Sequence, residues 1–300
     1  MGRRQWWIVG ATAMAIGLLG IVARGAEPEV RLTYLYDNTS AADGVKPDWG
    51  FACLVEGHGK TVLFDTGTNE EIFRHNVSAL KVDLSRVQAL VLSHDHRDHT
   101  GGLAVLGSRP GLPVFCARGF GEQTVKSLAD AGFQATPVTR SAEIFPGYRV
   151  SDAMPLEGEP GGRVIEEALL VDTRDGLVVI VGCAHPGIVP MIRRIRETST
   201  RPVVMVLGGF HLLETPADEV RSVIAGLKSM GVAYAGPTHC TGEEAIRLFS
   251  EAYGDHFIRG GAGTIVEIPP AGGRAPLTAS PRPQRGPAGD VFRTEEREFR

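Results

Sequence analysis

The stretch VLSHDHRDHTGG, residues 91–102, decides the fold and the chemistry expected of this 300-residue chain. Three histidines and two aspartates fall within the six positions 94–99. The apolar run VQALVL before them predicts a buried strand, so the polar residues form a loop at its carboxyl end. Open α/β folds gather their functional groups at such strand ends. The cluster therefore predicts a metal centre.

The residue types in this stretch suit a site for one or two ions. Imidazole nitrogens and carboxylate oxygens are ligands for Zn²⁺, and also for Mn²⁺ or Fe. His94 and His96 lie two positions apart in a turn and can face one ion. Asp98 and His99 lie one step further along and can face a second ion.

Two later apolar runs also end in a histidine. His185 follows the run in LVVIVGCAHPG, and His239 follows the run in VAYAGPTHCTG. Three such strand ends together favour a shared metal site over isolated packing histidines. Cys183 and Cys240 each adjoin one of these histidines. A thiolate can bind a soft metal, but the alternation of side chains along an extended strand end favours packing for both cysteines.

The rest of the chain predicts an α/β (α+β) architecture. Short apolar runs recur between residues 29 and 268 and predict buried strands. A hairpin-like series of strands followed by alternating strands and helices predicts two sheets sandwiched by helices. Weak periodicity and several Pro and Gly predict a loop-rich insertion at residues 134–164. The predicted helices cover residues 70–80, 121–131, 188–197, 216–230 and 243–253.

The order of the motifs resembles the metallo-β-lactamase superfamily. The resemblance implies an αββα sandwich of two mixed sheets flanked by helices, with zinc, in one or two ions, along its cleft. Its residues are His94-x-His96-x-Asp98-His99, Gly101-Gly102, His185 and His239. By this resemblance the first ion is held by His94, His96 and His185, and the second by Asp98, His99 and His239.

The earlier motif TVLFDTG also matches the family pattern. The resemblance implies that Asp65 in this motif supports the metal loop by hydrogen bonding and is not itself a ligand. Such a role suits the chemistry, because a ligating imidazole needs a partner for its other N–H group. The alternative is an ordinary turn aspartate before Gly67.

One departure from the family concerns the end of the run PVVMVLGG. Many superfamily members carry a bridging aspartate there, but Gly208 and Gly209 stand at this place. The nearest candidate is His211 in GGFHL, which can ligate, contact substrate or pack. We expect the catalytic residues to be Asp98, as an orienting group for the nucleophile, and His211.

The motifs GCAHPGI, GGFHLL and PTHCTG resemble the branch that contains archaeal dihydropterin-forming synthases and related metal-dependent hydrolases. Asp37-Asn38 fits this branch, whereas Trp49 stands where the branch commonly has a histidine. The difference implies an altered substrate. Thr241 followed by Glu244 predicts a capping box, and a helix start there would suit an anionic substrate group.

Both termini differ in composition from the domain expected at residues 29–268. Residues 1–26 carry Arg3 and Arg4, an apolar run and small residues, which predicts a signal peptide or an uncleaved membrane anchor. The protein is thus expected to be exported and periplasmic, with membrane contact only through that segment. Residues 269–300 are rich in Pro, Gly and Arg and predict a disordered tail.

The net charge and the chemistry of the cluster limit the functions to be expected. A net charge of -4 without a basic block excludes a general nucleic-acid binder and favours a small-molecule partner. The leading hypothesis is an exported hydrolase that uses metal-bound hydroxide on an ester, lactone, amide or phosphoester. The alternatives are a metal-dependent synthase or transferase on a phosphorylated heterocycle, and a non-catalytic or redox metal-binding protein. The substrate and the oligomeric state do not follow from the sequence.

Overall fold

A computed structural model describes residues 28–156 and 164–270, and the backbone of residues 278–279. The segment 1–26, expected to be a signal peptide or anchor, lies outside these described residues, as does most of the expected tail. Among the described residues, no helix has both the length and the apolar composition needed to cross a bilayer.

Strands and helices alternate along most of the chain. The strands are β1 (Val30–Tyr36), β2 (Ala52–Gly57), β3 (Lys60–Phe64), β4 (Ala89–Leu92), β5 (Pro113–Ala117), β6 (Gln134–Val138), β7 (Ala142–Phe145), β8 (Tyr148–Val150), β9 (Met154–Pro155), β10 (Ile165–Glu166), β11 (Leu169–Thr173), β12 (Gly176–Val181), β13 (Val203–Gly209), β14 (Tyr234–Thr238), β15 (Ile265–Ile268) and β16 (Thr278–Ala279). The α-helices are α1 (Glu70–Ala79), α2 (Arg97–Thr100), α3 (Glu122–Asp130), α4 (Ile188–Thr198), α5 (Ala217–Ser229) and α6 (Glu243–Tyr253). Short 3₁₀ helices cover Leu84–Arg86, Leu103–Leu106, His239–Thr241 and Gly254–His256.

Two mixed sheets form the centre of the molecule. The first has the order β16-β15-β1-β2-β3-β4-β5-β6, and the second has the order β14-β13-β12-β11-β8-β7. Strands β3 to β6 run parallel, as do β12 to β14. The carboxyl ends of β4, β12 and β14 therefore carry the loops with the candidate metal ligands.

Three apolar layers hold the sheets and helices together. One core lies between the two sheets and includes Phe64, Val91 and Ile180. A second core packs α4, α5 and α6 on the outer face of the second sheet. A third packs α1 and α3 on the outer face of the first sheet. All residues of β12 are buried because both faces of this strand meet a core.

The prediction of an αββα sandwich of two mixed sheets flanked by helices is confirmed. The expected helices all form, with ends within two residues of the expected ones. The prediction of a loop-rich insertion at 134–164 is wrong in part, because β6, β7, β8 and β9 lie there. Strands β6 and β7 are short sheet edges whose burial is partial, so their sequences lack the apolar run that marks a buried strand.

Candidate metal centre

The loop after β4 brings its three histidines to one place. His94 and His99 are fully buried, and Asp98 is 6% exposed. Nε2 of His94 lies 3.1 Å from Nδ1 of His96. Helix α2 begins directly after His96, so Asp98 and His99 share its first turn. Asp95 turns away and accepts hydrogen bonds at the start of α3, from the Gly121 N–H at 2.5 Å and the Thr124 hydroxyl at 2.6 Å.

Asp65 lies below this loop at the end of β3. Its carboxylate accepts from the Ser93 N–H and the Ser93 hydroxyl, both at 2.8 Å. Nδ1 of His99 lies 2.7 Å from the same carboxylate, and the Ser93 hydroxyl also contacts Nδ1 of His94 at 2.9 Å. These contacts leave Nε2 of both histidines facing the cluster. Asp65 thus occupies a supporting position beneath the loop.

Glu166 performs the corresponding task for the turn after β12. Its fully buried carboxylate accepts from the N–H groups of Cys183, Ala184 and His185, each at 2.8 Å. Nδ1 of His185 lies 3.0 Å from the same carboxylate. Nε2 of His185 is thereby left to face the cluster. Glu166 cannot be identified from the sequence, because an acidic pair before a buried strand carries no local sign of what it will contact.

Asn38 orients the histidine at the end of β14. Its amide oxygen lies 3.0 Å from Nδ1 of His239, and its NH₂ group donates to the His239 carbonyl at 3.1 Å. The neighbouring Asp37 accepts a hydrogen bond from the Thr238 hydroxyl. Burial raises the pKa of Asp37 to about 6, against the opposing effects of Thr238 and His239. Asp37 and Asn38 therefore fix the position of the segment that carries His239.

Trp49 lies inside the centre and is only 8% exposed. Its indole N–H donates to Oδ2 of Asp98 at 3.0 Å, and its ring centroid lies 4.9 Å from that of His239. This side chain positions a candidate ligand. The inference that Trp49 marks an altered substrate stays a prediction, and the indole lies at the cluster where a substrate would bind.

The predicted ligands converge into overlapping groups. In each group the donor atoms all lie within 4.8 Å of one another. This separation suits a shared ion, because two donors at a typical zinc–ligand distance of about 2.0–2.3 Å can be up to about 4.6 Å apart. The groups are His94-His96-Asp98, His94-Cys183-His185, Asp98-His99-Cys183-His239 and Cys183-His211-Cys240.

One buried nitrogen atom indicates whether the cluster fits a metal ion. Nε2 of His239 is buried and has no hydrogen-bond partner. It lies 3.2 Å from Oδ2 of Asp98, without the geometry of a hydrogen bond. A buried imidazole nitrogen without a partner is costly unless it has another ligand. The donor set of histidines, a carboxylate and a thiol fits a divalent transition metal.

The electrostatics also favour neutral imidazoles on one side of the cluster. Burial lowers the pKa of His94, and the neighbouring His99 and His185 lower it further. Burial lowers the pKa of His96 to about 4, again together with His185. Burial also opposes ionisation of Asp98, but the adjacent His99 and His239 outweigh it and lower the pKa of that carboxyl. A neutral histidine and an ionised aspartate are the forms that bind metals.

Backbone strain concentrates at this centre. Among the described residues, six non-glycine residues have positive φ, and four of them belong to the centre. Asp65 and Ala184 have φ of 56°, and His211 and His239 have φ of 51°. Such conformations persist only where the surroundings enforce them, and they are common at functional sites.

His211 lies at the mouth of the cluster. Its side chain is exposed, and its ring centroid lies 4.6 Å from that of His185. Its donor atom shares a group only with the two cysteines Cys183 and Cys240. Of the three roles considered for His211, contact with a bound substrate suits this exposed position.

Two local expectations need correction. Gly242, with φ of 82°, is the N-cap of α6, and no side chain caps this helix. The capping-box prediction is wrong because the Thr241 hydroxyl is used elsewhere, accepting from the Phe210 N–H at 3.0 Å and donating to the Thr238 carbonyl at 2.6 Å. The packing expected for Cys183 is also incomplete, because its Sγ lies 3.2 Å from Nε2 of His99.

Comparison with known proteins agrees with this fold. Residues 47–197 match the metallo-beta-lactamase superfamily. The chain is 30% identical over 260 aligned positions to 7,8-dihydropterin-6-methyl-4-(beta-D-ribofuranosyl)-aminobenzene-5'-phosphate synthase of Methanocaldococcus jannaschii, covering 73% of this chain and 88% of that protein. It resembles the crystal structure of Tm1679, a metal-dependent hydrolase of the beta-lactamase superfamily, with a TM-score of 0.68 and 29% identity over 80% of this chain and 99% of that one. The crystal structure of the metallo-beta-lactamase fold protein YhfI from Bacillus subtilis gives a TM-score of 0.57 at 13% identity, over 79% of this chain and 98% of that one.

Proposed function

Because this chain belongs to the metallo-β-lactamase superfamily, we propose that it is a metal-dependent hydrolase of a small molecule with an ester, lactone, amide or phosphoester bond. One observation carries the proposal. His94, His99, His185 and His239 each have one ring nitrogen held by a polar partner. The other nitrogen of each ring therefore faces the common cluster around Asp98.

The ligands are proposed as the family resemblance implies them, with support from this geometry. We assign His94, His96 and His185 to a first ion and Asp98, His99 and His239 to a second, and we propose zinc for both. Ions held by these residues would supply polarisation of the bond to be cleaved and a lower pKa for water at the site. The ring centroids of His94 and His96 lie 4.6 and 4.9 Å from that of His185, which supports grouping these three.

The chain's own residues then position the reactants. Asp98, held by the indole of Trp49, orients the attacking water. His211 contacts the substrate from the mouth of the cleft, where its ring is exposed beside His185. Asp65 and Glu166 keep the imidazoles in fixed orientations, which limits the reorganisation needed when the substrate binds.

A second candidate function is synthesis or group transfer on a phosphorylated heterocycle. Its support is the 30% identity to the Methanocaldococcus jannaschii protein, whose name describes a dihydropterin-linked aminobenzene 5'-phosphate synthase. Against it stands Trp49, at the place where that branch commonly has a histidine.

Location and partner are proposed from the sequence. The order of charged, apolar and small residues in 1–26 supports export to the periplasm, with an uncleaved anchor as the alternative. The absence of a basic block supports a small-molecule partner and no nucleic acid.

The test combines metal analysis with substrate screening. Protein purified without added metal is analysed for zinc, manganese and iron, and is then assayed on phosphodiester, lactone, ester and phosphorylated pterin-like substrates. The matched variants are His96→Ala and His256→Ala, because His256 is an exposed histidine outside the cluster, bonded to the Ala233 carbonyl. We expect His96→Ala to lose about 100-fold or more of the activity and His256→Ala to retain it.

The outcomes separate the candidates. Cleavage of a generic substrate that depends on His96 supports the hydrolase. Joining of a phosphorylated heterocycle to a second substrate, without generic cleavage, supports the synthase. Two irons with a visible absorption band and no turnover would contradict both and favour a redox protein.

A further inference from the structure

We propose that the thiolate of Cys183 bridges the two metal positions of this centre. The inference rests on the proposed metal-dependent function, since it names an additional ligand of the same site. It departs from the packing role that strand alternation favoured for this residue. Its basis is the position of the Cys183 sulfur relative to both sets of histidines.

The sulfur of Cys183 lies close to both sets of candidate ligands. Sγ of Cys183 shares one group with His94 and His185, and another with Asp98, His99 and His239. In both groups the donor atoms lie within 4.8 Å of one another. Asp98 is the other donor common to the two sides, through its group with His94 and His96. An atom placed this way can ligate either ion or both.

The backbone forces this placement. Residues 182–184 have left β12, so side-chain alternation no longer decides where Cys183 points. Ala184 adopts φ of 56°, and Glu166 binds the N–H groups on both sides of that bend. Cys183 is only 3% exposed and packs with Trp49 and Cys240. The sulfur is therefore directed at Nε2 of His99, at 3.2 Å.

The neighbouring strand cannot supply a ligand in its place. Gly208 has φ of 114°, and a Cβ there would overlap the Val181 carbonyl oxygen. A Cβ at Gly209 would overlap the Gly182 carbonyl oxygen and come within 2.7 Å of Sγ of Cys240. The end of β13 thus has no room for a side chain. The space between the two metal positions is left to the turn that carries Cys183.

Cys240 serves as the internal comparison. It is equally buried, at 2% exposed, and it adjoins His239 in sequence. Its Sγ shares a group only with Cys183 and His211, and it lies 3.8 Å from the Cys183 carbonyl oxygen. Its sulfur therefore lies outside the groups that contain Asp98 and His99. The two cysteines have the same chemistry and different access to the ions.

Binding would be a simple exchange. The Cys183 S–H bond breaks, its proton passes to solvent, and sulfur–metal bonds form without any change of oxidation state. A thiolate makes the centre softer and favours zinc, iron or cobalt over magnesium or calcium.

The first experiment uses cobalt as a spectroscopic probe in the full chain. Wild type, Cys183→Ser and Cys240→Ser are freed of metal and titrated with Co²⁺. We expect wild type and Cys240→Ser to show a near-ultraviolet sulfur-to-cobalt charge-transfer band, and Cys183→Ser to lose it while keeping visible ligand-field bands. A band that persists in Cys183→Ser, or one that is absent from wild type while two Co²⁺ bind, overturns the proposal. If wild type binds no Co²⁺, the metal-dependent function itself fails.

The second experiment needs no Cys183 variant, so a folding defect caused by the loss of Cys183 cannot obscure it. X-ray absorption of the two-zinc Cys240→Ser protein counts sulfur neighbours at about 2.3 Å. A bridging thiolate contributes one sulfur to each zinc on average, whereas a terminal thiolate contributes half that number. An average of one supports the bridge, and a half or none overturns it.

Discussion

The loop after β4 and the turn after β12 supply histidines to the same cluster, but they are anchored differently. Asp65 holds the β4 loop mainly through side chains, those of Ser93 and His99. Glu166 holds the β12 turn through three consecutive backbone N–H groups and His185. Burial raises the pKa of Asp65. For Glu166 burial acts the same way, but His185 and the backbone outweigh it and lower the pKa to about 2.

The difference indicates which of the two buried carboxylates contributes more to the stability of the segment it holds. Side chains such as that of Ser93 can turn to another partner when their acceptor is lost. Backbone N–H groups in a fixed turn cannot, so each would remain buried without an acceptor. We therefore expect the β12 turn to depend on Glu166 more than the β4 loop depends on Asp65.

The largest effect is expected for Glu166→Gln. The amide nitrogen replaces one acceptor oxygen, so two of the four N–H donors lose their acceptor. We expect the free energy of unfolding of the metal-free protein to fall by about 3 kcal/mol and zinc affinity to fall about 10–100-fold. Urea unfolding with a chelator present and competitive zinc titration measure these changes. A loss below about 1 kcal/mol would remove the distinction between the two anchors.

Asp65→Asn should have the next largest effect. One oxygen still accepts from the Ser93 N–H, and the Ser93 hydroxyl can rotate, so fewer donors are left unpaired. We expect a loss of about 2 kcal/mol in unfolding free energy, with a fall in zinc affinity similar to that of Glu166→Gln. The same two measurements apply. A stability loss greater than that of Glu166→Gln would reverse the comparison.

Glu167 connects the two regions, and its removal should stabilise the fold. Its N–H donates to the Ser93 carbonyl at 2.9 Å, but its buried carboxyl has no hydrogen-bond partner. Burial and the charge of Asp65 raise the pKa of Glu167, so the folded protein keeps this proton to a higher pH than the unfolded chain does. In the unfolded chain the carboxyl ionises near its ordinary pKa of 4.5. The stabilising contribution is therefore complete below about pH 4.5 and is lost as pH rises through the raised folded-state pKa.

We expect Glu167→Gln to be about 1 kcal/mol more stable than wild type at neutral pH, with a smaller gain in acid. Urea unfolding between about pH 4 and about pH 8 tests the slope. It also provides the matched control for Glu166→Gln, since the two residues are neighbours with the same side chain. Equal pH slopes in wild type and variant would contradict the assignment of a protonated Glu167.

Trp49→Phe should have the smallest effect. The substitution keeps an aromatic ring beside His239 but removes the N–H donor to Asp98. Because a single hydrogen bond to a charged acceptor is lost, we expect zinc affinity to fall about 3–10-fold, with little change in stability. Competitive zinc titration measures the affinity, and thermal melting of the metal-free protein checks the fold. Unchanged affinity would show that Asp98 needs no partner from the β1–β2 segment.

The sequence predicts the helices, the buried strands and the strand ends that carry the histidines. The pattern of helix α4 shows why: Ile188, Met191, Ile192 and Ile195 recur at helical spacing and are all buried. Edge strands β6 and β7 are not foreseen, because their burial is partial and each is only four or five residues long. The supporting residues were foreseen only where a motif contained them, as for Asp65.

By itself the sequence determined which side chains gather, because His94, His96, Asp98 and His99 are neighbours on one short loop after one buried strand. The tertiary structure alone decided what holds them. Trp49 meets Asp98 across 49 positions, and Asn38 meets His239 across 201. It also decided that Cys183 faces the histidines, because the left-handed backbone at Ala184 and the four hydrogen bonds of Glu166 are absent from any local pattern.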